Sequence, residues 1–157
     1  MISVLLVSQC VLLVTTVILF WVGITDFISF KIRNDLVLTL FFLFLIHACV
    51  SGRWVALHYN FGFAALAFVV ILYPYSLKLM GGGDVKLLTV ALLWAGPTGA
   101  MLYAVFLLGF VLVHVLAIKL ATLIWPERGQ AHKIPLAPSM AAALVAVFMS
   151  GALRPVI

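Results

Sequence analysis

Charge is what this sequence has least of. Only 8% of its 157 residues are Asp, Glu, Lys or Arg, against about 25% in a soluble domain. Nine basic and four acidic side chains cannot make a polar shell around a core of this size, so a water-soluble fold is excluded. The net charge of +5 comes from scattered single residues and forms no basic face, which removes nucleic-acid binding from the possibilities. Disorder goes too, because it needs low hydrophobicity and high charge. Cysteine is nearly as scarce. Cys10 and Cys49 both lie in apolar runs with no CxxC or Cys/His spacing around them, so no zinc site is implied and both read as small buried hydrophobes. No repeat or low-complexity tract interrupts the chain, and its longest polar stretch is only Pro126 to Lys133, so residues 1–157 read as one domain.

What is present is apolar length, with 67% of residues hydrophobic. The first run, Ile2 to Thr25, lacks a basic leading segment and ends in Thr25-Asp26 where a cleavage site needs small residues, so it reads as a retained span and not a signal peptide. Five more runs follow, at Leu36 to Val50, Val55 to Tyr75, Val85 to Ala95, Ala100 to Leu123 and Ile134 to Ala152. The fourth is short for a hydrocarbon core of about 30 Å and crosses only if Gly81 to Gly83 and Gly96 lie in the membrane with it. Charge placement arbitrates. If all six runs cross, Lys31, Arg33, Lys78, Lys86, Lys119, Arg128 and Lys133 fall on one side and only Arg53 and Arg154 on the other. Basic residues concentrate on the cytoplasmic side, so the expectation is an all-α membrane protein of six transmembrane helices with both termini outside the cytoplasm. All four acids then lie on the cytoplasmic side, while Trp54, Tyr75 and Trp125 read as interfacial anchors.

Two of the acids, Asp26 and Asp84, are attached to spans and separated by two crossings, so both return to the same face. Ionisable groups at membrane depth usually face a bundle interior or a watery cavity and carry function. Around Asp84 the sequence Met80-Gly81-Gly82-Gly83-Asp84-Val85-Lys86 places three glycines ahead of a helix, where backbone without side chains lets an extended peptide approach. The alternative is that Asp84 caps the helix and the glycines form a plain turn. Two carboxylates brought together share a proton, and such a pair supplies an acid and a base in one site, as in aspartic proteases.

At these residues the chain resembles a family. Gly81-Gly82-Gly83-Asp84, continued by Val85-Lys86-Leu87-Leu88, is similar to the GxGD motif of aspartic prepilin leader peptidases, the type IV prepilin peptidase family, with Gly81 or Gly82 leading and Gly83-Asp84 fixed. The segment from Asp26 to Asn34 resembles that family's first-aspartate motif. Asp26, Ile32 and Asn34 keep its spacing, and Arg33 stands where proline is usual. Ile134-Pro135-Leu136-Ala137-Pro138 resembles the proline-bearing start of the last helix. The resemblance implies a GxGD-protease-like bundle in the bacterial inner membrane. Its activity would be that of an aspartic endopeptidase using Asp26 and Asp84, without metal or cofactor, to cut the basic leader from prepilins or pilin-like proteins at the cytoplasmic face. Nothing resembles the added methyltransferase domain of some relatives. In size and layout the chain looks like the compact TadV and CpaA proteins that serve Flp-type pili in tight-adherence systems.

Other polar residues have plainer readings. Lys86 either tunes the pair of acids or snorkels to lipid. Asn34 and Asp35 open the second span, where capping and the helix dipole account for them. His47 and His114 fall within spans, where a neutral His hydrogen-bonded to a neighbouring helix is favoured over a proton relay. Glu127 is a solvated loop charge. Two rival functions remain: a small ion-coupled transporter using Asp84 beside a broken helix, and a noncatalytic membrane assembly subunit whose acids only cap helices.

Overall fold

A computed structural model describes residues 2–52, 54–124 and 135–151. These form five α-helices: α1 (Ile2–Ser29), α2 (Asn34–Val50), α3 (Trp54–Ser76), α4 (Gly82–Ile124) and α5 (Ala137–Met149). The first five apolar runs lie in helices, and of the sixth, Ile134 to Ala152, residues 137–149 form α5 while Pro135 and Leu136 precede the helix. Three helices, α1, α3 and α4, are long and apolar enough to cross a membrane, whereas α2 and α5 are shorter. Arg53, Trp125, Glu127, Arg128, Lys133, Ile134 and Arg154 lie outside the described residues.

The fourth and fifth runs share α4, and the expected separation between them is a break at Gly96, whose φ of 62° and ψ of 179° are not helical. Local chemistry explains it. Only glycine readily takes this combination of positive φ and extended ψ, and Pro97 directly after it is suited to a first helical turn. The carbonyl of Leu93, released where the ladder ends, accepts a 3.2 Å hydrogen bond from Asn60 Nδ2 on α3. The chain reverses at this point. Asp84 and Val115 line one cavity, although 31 residues of straight helix would hold them about 46 Å apart.

The bundle is arranged for an apolar solvent. Large apolar side chains such as Phe20, Leu13 and Met101 are exposed, while Thr15, Asp26, His47 and Ser139 are buried. Cys10 and Cys49 are exposed, contrary to the buried position expected of them. In lipid an outward thiol loses nothing by exposure, so scarcity of polar neighbours does not imply burial. The core gathers around Trp94. Its ring meets Phe44 at 5.6 Å, His47 at 5.4 Å and Phe148 at 5.3 Å. Its indole N–H donates to the Leu40 carbonyl at 3.0 Å. That one residue ties α2, the first arm of α4 and α5 together, and the polar tip of a buried Trp is satisfied as it must be.

Candidate active site

Asp26 lies in the last turn of α1, which runs past the expected end at Thr25 to Ser29. Its side chain is buried, and its Oδ2 accepts the backbone N–H of Ala137 at 3.2 Å. Ala137 opens α5, so the carboxylate sits on the positive end of that helix. The sequence explains why it is needed there. The residue before α5 is Leu136, which makes no side-chain cap, and Pro138 has no N–H to offer. Asp26 supplies from another helix the oxygen that local sequence lacks.

Asp84 is the third residue of α4, and its Oδ2 accepts the N–H of Gly81 at 3.3 Å. This is half of a capping box, with an acid on the first turn reaching back to the residue before the helix. Asp84 therefore caps the helix, as the alternative reading had it. Gly82 and Gly83 belong to the first turn of α4 and only Gly81 precedes it, so the three glycines neither stand ahead of the helix nor form a plain turn. Capping does not exclude a catalytic role. The same carboxylate faces a cavity of about 620 Å³ lined by Asp26, Phe30, Lys78, Leu79, Met80, Gly81, Asp84, Val115, Pro135 and Leu136. A second cavity, of about 700 Å³ between α1 and α5, is lined by apolar and small side chains such as Phe20, Gly23, Ala142 and Met149. No ionisable group lines it.

The segments carrying the two acids are docked on each other. A Cβ on Gly83 would lie 2.9 Å from Cβ of Ile32, and one on Gly81 would lie 3.0 Å from Asp84 Oδ2. Gly82 meets only the Tyr75 ring, at an ordinary 3.5 Å. Space thus demands glycine at position 83, makes a side chain at 81 displace the Asp84 carboxylate by a few tenths of an ångström, and tolerates more at 82. A second tie runs from Lys86 Nζ to Asn34 Oδ1 at 3.0 Å. Lys86 is therefore engaged with the α1–α2 loop, and it is Lys78 that lines the cavity. Arg33, at the position where proline was the expectation, has φ −74° and ψ 133°, which is the extended conformation proline itself prefers. The loop keeps its shape through that backbone.

Asp35 lies in the first turn of α2, where it suits the helix dipole as expected, but neither it nor Asn34 occupies the cap position. The residue preceding α2 is Arg33, which makes no side-chain cap. Asn34 takes the Lys86 ammonium, and Asp35 pairs with Arg33 at 2.6 Å. The Arg33 hydrogen bond holds the Asp35 carboxyl below the ordinary carboxylate range, on an exposed surface where such pairs contribute little. Both histidines hydrogen-bond to neighbouring helices: His47 Nε2 with Ser8 Oγ at 3.1 Å, and His114 Nδ1 with Ser139 Oγ at 3.2 Å.

Sequence reasoning missed Phe30, Lys78 and Val115 of the cavity wall, and the Ala137 N–H. Phe30 and Lys78 have φ of 51° and 58°, the left-handed region that non-glycine residues seldom enter. Lys78 closes α3 with paired bonds, its N–H to Tyr75 O at 2.9 Å and that of Leu79 to Pro74 O at 3.1 Å, a helix stop that usually has glycine in its place. Without glycine there, no sequence signal marked the turn. Ala137 did leave one: a helix start between two prolines with no Ser, Thr, Asp or Asn beside it requires an acceptor from elsewhere.

A family model, the type IV leader peptidase family, matches residues 13–118, more than half of the chain. No curated protein and no solved structure matches it.

Proposed function

The chain belongs to the type IV leader peptidase family, and on that premise we propose that Asp26 and Asp84 are the catalytic pair of a membrane-embedded aspartic endopeptidase. Its substrates are prepilins or pilin-like proteins, whose basic leader it removes at the cytoplasmic face of the inner membrane. One observation carries the reading. The end of α1 and the start of α4, far apart in sequence, present their carboxylates to the same cavity.

In this mechanism the pair holds one proton between two carboxylates. The ionised member takes a proton from water, the water oxygen attacks the scissile carbonyl carbon, and the protonated member donates to the carbonyl oxygen. Collapse of the tetrahedral intermediate breaks the C–N bond and delivers a proton to the leaving amine. The N–H groups of Gly81 and Ala137 each hold one carboxylate oxygen, and that leaves the other oxygen of each acid for water and peptide. Of the three glycines only Gly81 lines the cavity, where it leaves backbone without a side chain beside Asp84 for an extended substrate, whereas Gly82 and Gly83 lie in the first turn of α4 against Tyr75 and Ile32. Counting back from Gly83-Asp84, Gly81 is the leading glycine of the GxGD motif.

The topology that fits this chemistry has six crossings, with α4 counted as two arms (82–95 and 97–124) joined at Gly96, and both termini outside the cytoplasm. Co-expression with a candidate prepilin, followed by mass measurement of leader removal, tests the assignment. Asp26→Asn and Asp84→Asn are each expected to abolish cleavage while the protein still accumulates in the membrane. Cleavage that survives both substitutions would sink the catalytic pair.

A further inference from the structure

His114 takes no part in the chemistry proposed above, yet it stands beside it. On α4 it directly precedes Val115, which lines the aspartate cavity, and its Nδ1 shares a 3.2 Å hydrogen bond with Ser139 Oγ. Ser139 is buried in the first turn of α5, two residues after Ala137, whose N–H holds the Asp26 carboxylate. That turn is poorly anchored by its own sequence. Leu136 offers no cap, and Pro135 and Pro138 have no N–H, so its ladder opens only with the Met140 N–H on Leu136 O at 3.1 Å. Packing of the buried Ala137, Ser139 and Met140 holds the turn in the bundle, and the His114 bond adds a directional tie from a neighbouring helix. His114 also lies close enough to Asp26 to act on its charge.

We propose that His114, through its hydrogen bond to Ser139, is a positioning residue for Asp26: it fixes the first turn of α5 and thereby the Ala137 N–H on which the carboxylate rests. The inference rests on the peptidase reading for its consequence and on the geometry alone for its cause. Small misplacements are expensive in catalysis, since about 1 Å can cost on the order of a hundredfold in rate. Ser139 is buried, so a hydroxyl left there without its partner is costly.

The full chain in detergent or vesicles, with a prepilin substrate, provides the test. His114→Leu and Ser139→Ala should each lower kcat about tenfold or more, with KM within about twofold, because substrate binding is untouched and alignment is lost. His114→Asn, whose amide nitrogen falls near the position of Nδ1, should recover kcat to within about threefold of the parent. The double variant should be no worse than the poorer single one, since both remove one interaction. Ser139→Ala deletes a single oxygen and carries the test where His114→Leu fails to fold. Unchanged kcat in Ser139→Ala, or a His114→Asn as slow as His114→Leu, overturns the proposal. Amide hydrogen exchange at Ala137 reads the cause without any activity. It should quicken in Ser139→Ala, and an unchanged rate overturns the proposal as well. A parent protein that cleaves no prepilin, combined with quickened exchange in the variant, overturns the peptidase reading and leaves the positioning link standing.

Discussion

Gly83 shows how one missing side chain can hold two segments in register. Its Cα faces Ile32 so closely that any Cβ would meet the Ile32 Cβ at 2.9 Å. Gly83→Ala should therefore push the α1–α2 loop off the start of α4 and cost about 1–3 kcal/mol, the range for overpacking. The drop should show in thermal unfolding in detergent, and leader cleavage should fall with it. Shortening Ile32 to Ala does not restore stability, because the clash lies at Cβ and not at the branches that Ala lacks. Lys78 gives the converse case. Its left-handed backbone is free for glycine and worst for a β-branched side chain. Lys78→Gly should leave the melting temperature at or above that of the parent, and Lys78→Val should lower it. Equal melting temperatures for the two would show that the turn carries no backbone strain.

Among the elements, α4 has the most specific construction. A Cβ at Gly96 would combine a positive φ with a 2.5 Å approach to Asn60 Oδ1. Gly96→Ala should cost about 2 kcal/mol or more from the two effects together. Asn60→Ala alone should cost about 1 kcal/mol by leaving the Leu93 carbonyl without its donor. Combined, the two changes should cost less than their sum, since removing Asn60 makes room for the new methyl group. Chemical or thermal unfolding of the four proteins checks the cycle, and strict additivity would mean that the contact does not govern the break. The α1–α2 connection is specific in a different way. Its Arg33 takes the backbone shape of a proline without being one, so the loop is set by its contacts to α4 and not by a ring.

At the scale of the whole molecule, a six-crossing topology makes a statement about sidedness. Lys31 and Lys78 should be reached by a membrane-impermeant thiol reagent from the cytoplasmic side when replaced by Cys. Trp54 and Thr98 should be reached only from the other side. Cys10 and Cys49 are exposed and must first be removed from the background. Labelling of position 98 from the cytoplasmic side would mean that α4 does not cross twice. The same topology accounts for the acid pair, because it places the last turn of α1 and the first turn of α4 at one face of the bundle. Both carboxylates are then held by helix N-termini: Asp26 by that of α5 and Asp84 by that of its own helix.

Composition and run length were enough to determine that lipid is the solvent, that the chain is helical, and where the helices lie, because apolar length is a local property. Resemblance to the family's two aspartate motifs likewise singled out Asp26, Ile32, Asn34, Gly81, Gly83 and Asp84 before any coordinates, since each motif is short enough to read along one stretch. Contacts between distant stretches were decided only by the tertiary structure. These include the Ala137 N–H on Asp26, Ile32 against Gly83, Lys86 turned to Asn34, and Lys78 in the cavity wall in its place. Cysteine exposure belongs with them, because in a bundle surrounded by lipid an apolar residue is equally at home on either face. The sequence therefore cannot tell which side of a helix turns inward until the neighbouring helices are in position.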